Sequence, residues 1–586
     1  MRFMRMLTNA VAGGMLGAIY LSVIVLILNP QMPLVSTSAW HWFIAIVAFY
    51  GLHLSVAVYL LILVREVLAS RPLYPGWLSV RLLAWLGAGF AAASALITWG
   101  NLRGFRAVLG EAAAARLQTA AVAATVAAVV LVGVALLRYS FGRKGSRPAG
   151  ILLTIALVTS VAVPVWVRGP GDMPVPPVAR ARTLEAPPAA SAVLGARAPR
   201  VRILMLDGAS LGLIRERAAA GLLPNLGRVL DRGAAMDLAT LKPTQAEPVW
   251  TAAATGKYPP RTGVRSNAVF RARPDDADVI DLLPDYCFAY GLVYQRYVVA
   301  EALTREAIRS RAFWDIAADY GIASGIVRWP LTTPASQSRG YLISDTFHLG
   351  SQSPLRLSDA RAGAPSSAVD VAREVFDAVQ FPDAGAPPVA NREDDPTGAG
   401  GRPLYLDQAY IAAAEALEPL FAPQVTAVRM ERLDALSHVY WAEGQAARAG
   451  RRETTEGRLL DQAYVEVDRQ VGRELGRLRQ GDLLLIVSGF GMERVGIAKQ
   501  LLARLLLQPT LTGSHEGAPD GFLLAYGTHV LRADLPRGAI VDLAPTVLAY
   551  LGLPVARDMD GFARTDLFDR AYRRDHPVVY VGSHEK

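Results

Sequence analysis

The sequence holds a single cysteine, Cys287, among its 586 residues. One thiol closes no intramolecular disulfide, so a covalent staple within the chain is excluded and the compartment is left open. The expected role of Cys287 is a small buried apolar residue rather than a reactive thiol. Histidine is scarce too, 8 in the whole chain, so each candidate metal ligand can be weighed by itself. Charged residues are missing from five long stretches before Gly169. Buried helices of a soluble domain are a poor account of five such runs, and each is long enough to cross a bilayer core.

These runs are Asn9–Leu28, His41–Val64, Leu82–Trp99, the Ala-rich Leu117–Leu137, and Ala149–Val167. Together they predict an all-α membrane domain of five transmembrane helices over residues 1–168, embedded in the lipid bilayer. Arg2 and Arg5 precede the first run. Arg65, Arg71 and Arg81 separate the second and third, and Arg138, Arg143, Lys144 and Arg147 the fourth and fifth. The intervening loops hold only Arg103, Arg106 and Arg116. By the positive-inside rule the N-terminus is cytoplasmic, and an odd number of spans places the remainder outside, in a periplasmic position. The first run lacks a convincing cleavage site and reads as retained. The net charge of +9 is therefore partly a topology signal, not a footprint for nucleic acid, and no nucleic-acid partner is expected.

Residues 169–200 are rich in Pro, Ala and Arg without apolar periodicity, and read as an extended linker. From Val201 the pattern changes. Apolar strands (Val201–Leu206, Ala323–Arg328, Val425–Arg429, Asp482–Val487, Phe522–Tyr526) alternate with helices. Those helices are read at Leu211–Ala219, Asn225–Arg232, Arg311–Tyr320, Tyr405–Phe421, Thr455–Arg479 and Asp542–Leu551. The alternation predicts an α/β three-layer sandwich around a mostly parallel sheet over 201–586. Two stretches interrupt it, near 271–297 and 351–402, and read as cap loops or segments without a packed core.

The organising stretch is Val201–Asn267. A buried strand ends on Asp207 and Gly208, which puts a carboxylate at a strand tip, where open α/β sheets place ligand sites. A Pro-rich turn then leads into a helix around Trp250–Thr255, whose free N–H groups suit an anion. Farther on, LDALSHVYW places Asp434 and His438 four residues apart, on one face if helical. TGSHEGAPDG places His515 in a Gly-rich loop. Asp, His and His make a three-ligand set for zinc with an open position. An i, i+4 pair of this kind is by itself more often an ordinary surface pair.

Several ordered blocks resemble a known family. DG after the first strand, LPNL, RGA, PVWTAAATGKYPPRTGV, FWDIAADYGIASGIVRWPLTTPA and the closing VDLAPTVLAYLGLPVARDMDG are similar to the nucleotide pyrophosphatase/phosphodiesterase branch of the alkaline phosphatase superfamily. The resemblance implies an alkaline-phosphatase-like fold in which two metal ions and a Thr or Ser nucleophile cleave phosphate esters. It also implies that Asp434, His438 and His515 hold one metal. Asp207 matches a ligand of the second, and Asn267 an asparagine that donates to a phosphate oxygen.

The rest of the pattern is broken. The nucleophile position falls on Ala246, which cannot attack phosphorus. Thr244 and Thr251 are out of register and read as a turn and a helix-start residue; Glu247 reads as a solvated turn carboxylate. After DLLLIVS the family has Asp-His-Gly, and this chain has Gly489, Phe490 and Gly491. Glu493 and His529 would serve only after rearrangement. Arg328 and Trp329 take the default readings of a surface ion pair and core packing.

The expected cofactor is thus one divalent metal, zinc, with the second site in doubt. Four functions compete. One is an outer-face protein that binds a phosphorylated small molecule, a lipid headgroup or a protein partner. Another is a weak one-metal phosphoesterase in which a metal-acidified water, its pKa brought toward ~7, attacks directly. A third is a phosphoethanolamine-type headgroup transferase, against which Ala246 counts. The last is a purely structural membrane protein.

Overall fold

A computed structural model of the chain describes residues 1–68, 77–136, 147–169, 171, 199–284, 289–336, 339–352, 361–379, 406–448, 455–497, 500–501, 511–515 and 517–585. Cys287, most of the linker and most of 351–402 lie outside the described residues. The chain divides into two compact units, Met1–Pro176 with Ala268–Ala302, and Pro177–Asn267 with Leu303–Lys586.

The first unit has five helices long and apolar enough to cross a membrane: α1 (Arg2–Leu28), α2 (Thr37–Leu68), α3 (Val80–Leu109), α4 (Glu111–Leu136) and α5, apolar over Gly150–Val167. Ser36 caps α2 by accepting from the Ala39 N–H, and Ser79 caps α3 by accepting from Leu82. Inside α2 the chain widens into a π-turn at Val47–Gly51. The segments Arg103–Arg106 and Arg116, read as loop, are helical, because α3 and α4 are joined by Gly110 alone at φ 77°. Small residues set the helix spacing, as is usual where no water drives association. A Cβ at Gly14 of α1 would lie 2.2 Å from Ser55 Oγ of α2. The alanines that make α4 compositionally plain serve the same purpose: Ala113, Ala120, Ala124 and Ala128 are buried, as are Ala84, Ala88, Ala91 and Ala95 of α3.

The stretch read as a cap over the α/β domain belongs to this helical unit. Ala268–Arg271 pairs antiparallel with Val299–Ala302, and the segment between packs on the helix ends. Asn29 recognises the backbone of Leu282 in both directions, donating from Nδ2 to its carbonyl at 2.7 Å and accepting its N–H at Oδ1 at 3.1 Å. Gln31 donates to Asp281 at 2.6 Å, and His41 Nδ1 lies 2.6 Å from Asp276 Oδ1. Phe49 and Tyr297 meet edge to face. These are long-range contacts, from Asn29 and Gln31 just beyond the first apolar run and from His41 and Phe49 within the second, which no local pattern announces.

The second unit is built on a sheet whose main strands are β1 (Val201–Leu206), β2 (Ala234–Ala239), β3 (Ser324–Val327), β4 (Gly340–Ile343), β5 (Val425–Met430), β6 (Leu483–Phe490) and β7 (Asp520–Gly527). Their order is β2-β7-β6-β1-β5-β3-β4, closed at each edge by a two-residue strand, Ala533–Asp534 and Gly363–Ala364. β6, β1, β5, β3 and β4 run parallel; β7 is antiparallel to both β6 and β2. Every residue of β1 is buried, as a central strand covered on both faces requires. Its side chains alternate between two cores. Ile203 and Met205 join Trp250, Trp329 and Leu543 on one side, while Leu204 and Leu206 join Leu213, Leu460 and Val467 on the other. The stretch from 351 is not all loop, since Ser366–Ala378 is a helix whose Ala368, Val369 and Ala372 are buried.

Candidate metal and phosphate site

The site gathers at the C-terminal tips of β1, β5 and β6. β1 ends on Asp207, followed by Gly208 in the left-handed region at φ 63°. A Cβ at Gly208 would come within 2.5 Å of Asp434 Oδ1 and 3.0 Å of Asp434 Cα, so only glycine lets the two segments approach this closely. After β5 the chain enters a helix, Arg432–Arg448, whose first turn carries Asp434 and whose second carries His438. The helical spacing sets the pair on one face, with His438 Nε2 3.5 Å from Asp434 Oδ2. The loop before β7 delivers His515, its ring 5.0 Å from that of His438.

Asp434, His438 and His515 thus lie together, all buried, with one donor atom from each within 4.8 Å of the others. Two observations fit a cation here. Asp434 Oδ1 is buried and makes no hydrogen bond. Both imidazoles are also oriented from behind: His438 Nδ1 is 2.9 Å from the Gly513 carbonyl, and His515 Nδ1 is 2.9 Å from the Thr244 carbonyl. A carbonyl only accepts, so each Nδ1 carries the proton and each Nε2 keeps its lone pair for a metal. The nitrogen-rich donor set suits zinc better than magnesium or calcium.

Asp207 is not brought into this group. Its Oδ1 accepts the indole N–H of Trp250 at 2.7 Å, and its Oδ2 accepts Nε of Arg429 at 2.8 Å, with a second, shorter contact to Nη2. Burial pushes the Asp207 carboxyl up from its ordinary range, and the Arg429 guanidinium pulls against that. Arg429 also pairs with Glu431, Glu431 with Arg328 at 2.9 Å, and Arg328 with Asp407. Arg328 is therefore a member of a buried ion chain, held at φ 60° and 2% exposed. Trp329 packs edge to face on Trp250 and Trp314, and its N–H donates to the Trp250 carbonyl.

The remaining positions are closed by apolar groups. Gly489 and Phe490 end β6, and the Phe490 ring lies 4.7 Å from that of His515. Ala246 is the first residue of the helix α8 (Ala246–Thr255). That helix starts four residues earlier than Trp250, so Thr251 sits in its middle, while Thr244 donates to the Leu241 carbonyl. Asn267 is buried, and its backbone N–H donates at 2.9 Å to the side chain of Gln245, the residue before α8. Glu493 accepts from the Gly517 N–H, and His529 lies 3.4 Å from Asp569.

Arg429 was not among the candidates read from sequence. The signal was present: a charged residue inside an apolar strand, which the parallel register sets beside Met205, two residues short of Asp207.

The profile of the type I phosphodiesterase / nucleotide pyrophosphatase family matches residues 201–512. Among solved structures, murine ectonucleotide pyrophosphatase/phosphodiesterase 5, an inactive variant in complex with AMP, is similar at 12% identity and a TM-score of 0.38. The match covers 63% of this chain and 100% of that one. No curated protein matches the chain.

Proposed function

Because this chain belongs to the type I phosphodiesterase / nucleotide pyrophosphatase family, we propose that it is a membrane-anchored protein whose α/β unit binds a phosphorylated ligand at one divalent cation and turns it over slowly or not at all. Asp434, His438 and His515 would hold the cation, and Asn267 would donate to a phosphate oxygen. The observation that carries the reading is the engagement of both Asp207 oxygens. One accepts from Trp250 and the other twice from Arg429, so N–H groups occupy three of its roughly four acceptor sites.

When bound, the cation supplies Lewis acidity toward a phosphate oxygen. The chain's own residues supply the rest. The two backbone carbonyls behind the imidazoles hold both Nε2 atoms toward the ligand. The methyl group at Ala246 leaves no covalent route, and losing a nucleophile that acts within a unit costs several powers of ten in rate. In this proposal α1–α5 anchor the protein with its N-terminus cytoplasmic and the α/β unit on the extracytoplasmic side.

The test is metal analysis on the full-length protein in detergent, paired with turnover of a chromogenic phosphodiester. One equivalent of zinc, lost in His438→Ala, with turnover orders of magnitude below that of a two-metal phosphodiesterase, is expected. Two equivalents, or none in a folded sample, would sink the proposal.

A further inference from the structure

The α/β unit contains a cavity of about 370 Å3 that shares no residue with the Asp434–His438–His515 group. One wall is the middle of α8, with Thr251; another is formed by Arg309, Trp314 and Ser336. Three polar atoms of these residues are buried without a hydrogen-bond partner: Thr251 Oγ1, Trp314 Nε1 and Ser336 Oγ. Thr251 and Trp314 are 1% and 3% exposed, so water does not readily compensate them. Buried polar atoms left unpaired are rare and costly, and they ask for a ligand.

Charge points the same way. Of the three arginines lining the cavity, Arg305 is paired with Asp315 at 2.8 Å and Arg311 with Asp319 at 2.7 Å. Arg309 makes no side-chain ion pair or hydrogen bond among the described residues. An indole N–H and a guanidinium can only donate, and a threonine or serine hydroxyl can do so. A carboxylate presents two oxygens in one plane, whereas a phosphate presents three terminal oxygens to donors on different walls. Trp329 and Leu331 add an apolar wall, and the volume exceeds what a bare inorganic anion fills.

We propose that this cavity binds a small organic phosphate, its oxygens on Arg309, Thr251 and Trp314 and its apolar substituent against Trp329 and Leu331. The site is independent of the cation-binding trio, so it survives the failure of the one-metal reading.

The test is calorimetry with phenylphosphonate, which has no ester to cleave, on the full-length protein in detergent with a chelator present. One binding event is expected, weakened ~10-fold or more in Arg309→Ala, since a charge-assisted pair is lost. Thr251→Val should weaken it several-fold while leaving the melting temperature at or above that of the parent, because the hydroxyl it removes makes no bond. His438→Ala should bind as the parent does. No heat up to ~10 mM ligand, a weakness beyond any specific site, would overturn the proposal. So would binding that His438→Ala abolishes and Arg309→Ala spares. Inorganic phosphate binding as tightly as phenylphosphonate would overturn the organic part.

Discussion

Restoring the family's residues, Ala246→Thr with Gly489→Asp and Phe490→His, is the natural attempt to recover a second metal, and the structure argues that it fails. A Cβ at Gly489 would stand 2.5 Å from Val249 Cγ1 and 3.6 Å from the Trp250 ring. Val249 and Trp250 are both fully buried, so the clash cannot relax into solvent, and overpacking of this kind costs about 1–3 kcal/mol. Phe490 is also fully buried; exchanging it for histidine forfeits about 1.5–3 kcal/mol of apolar burial. Together these are a large part of a typical total stability of about 5–15 kcal/mol. Nor would the new side chains gain a cation, because Arg429 and Trp250 still hold both oxygens of Asp207. The triple variant should therefore melt well below the parent, bind no more metal, and show no gain in phosphodiester turnover. Adding Val249→Ala, which deletes the clashing methyl, should recover part of the melting temperature and still leave one metal. Mass spectrometry of the metal content decides the matter. Two equivalents in the triple variant with Arg429 intact would refute the argument.

Other expectations follow from single contacts. Gly208→Ala places a methyl group against Asp434 at a backbone of φ 63°, so zinc affinity and melting temperature should both fall, the latter by about 1 kcal/mol or more of stability; unchanged zinc affinity by titration would contradict the close approach. Trp250→Phe strips one donor from the buried Asp207 carboxylate and should cost about 1.5–3 kcal/mol in denaturant unfolding. Burial pushes the Asp345 carboxyl up to about 6. A raised acid favours folding while it is protonated, so its contribution is full below pH ~4 and is lost as pH rises through 6. Asp345→Asn should then gain on the parent at pH 8 by about 2–3 kcal/mol relative to pH 4, measured by denaturant unfolding at both pH values. Asn29→Ala removes both hydrogen bonds to Leu282 and should loosen 268–302, seen as faster amide exchange there; exchange at the parent's rate would refute the anchoring role.

What the sequence disclosed follows from the range of the interactions. β1 and its terminal Asp207 were legible because a doubly covered parallel strand is a continuous apolar run. Asp434 and His438 were legible because their spacing is that of one helix face. His515 needed the resemblance, since nothing local joins a Gly-rich loop to a helix some seventy residues earlier. The assignment of 268–302 to the helical unit was not legible, because it depends on Asn29, Gln31 and His41, more than two hundred residues away. The helix Ser366–Ala378 was hidden by the Pro-, Ala- and Asp-rich residues around it.

The arginine at 429 bears directly on whether a second cation can bind beside Asp207. Around it lie three buried carboxyl groups, Asp207, Asp407 and Glu431, and the half-buried Asp345, against two guanidinium groups, Arg328 and Arg429. Charge alone would welcome another cation; burial pushes the carboxyls of Asp207 and Asp345 up, Arg429 pulls both down, and Glu431 adds to the rise. Geometry refuses it. A metal needs lone pairs converging at about 2 Å, and three of the roughly four on Asp207 are already directed at N–H groups. Arg429 thus satisfies the buried Asp207 carboxylate without offering a coordination site, and removing it would leave Asp207 and Glu431 uncompensated at a cost of about 3–5 kcal/mol. A second cation at Asp207 is therefore expected only where Arg429 is replaced together with Gly489 and Phe490, and metal content of that combined variant checks it.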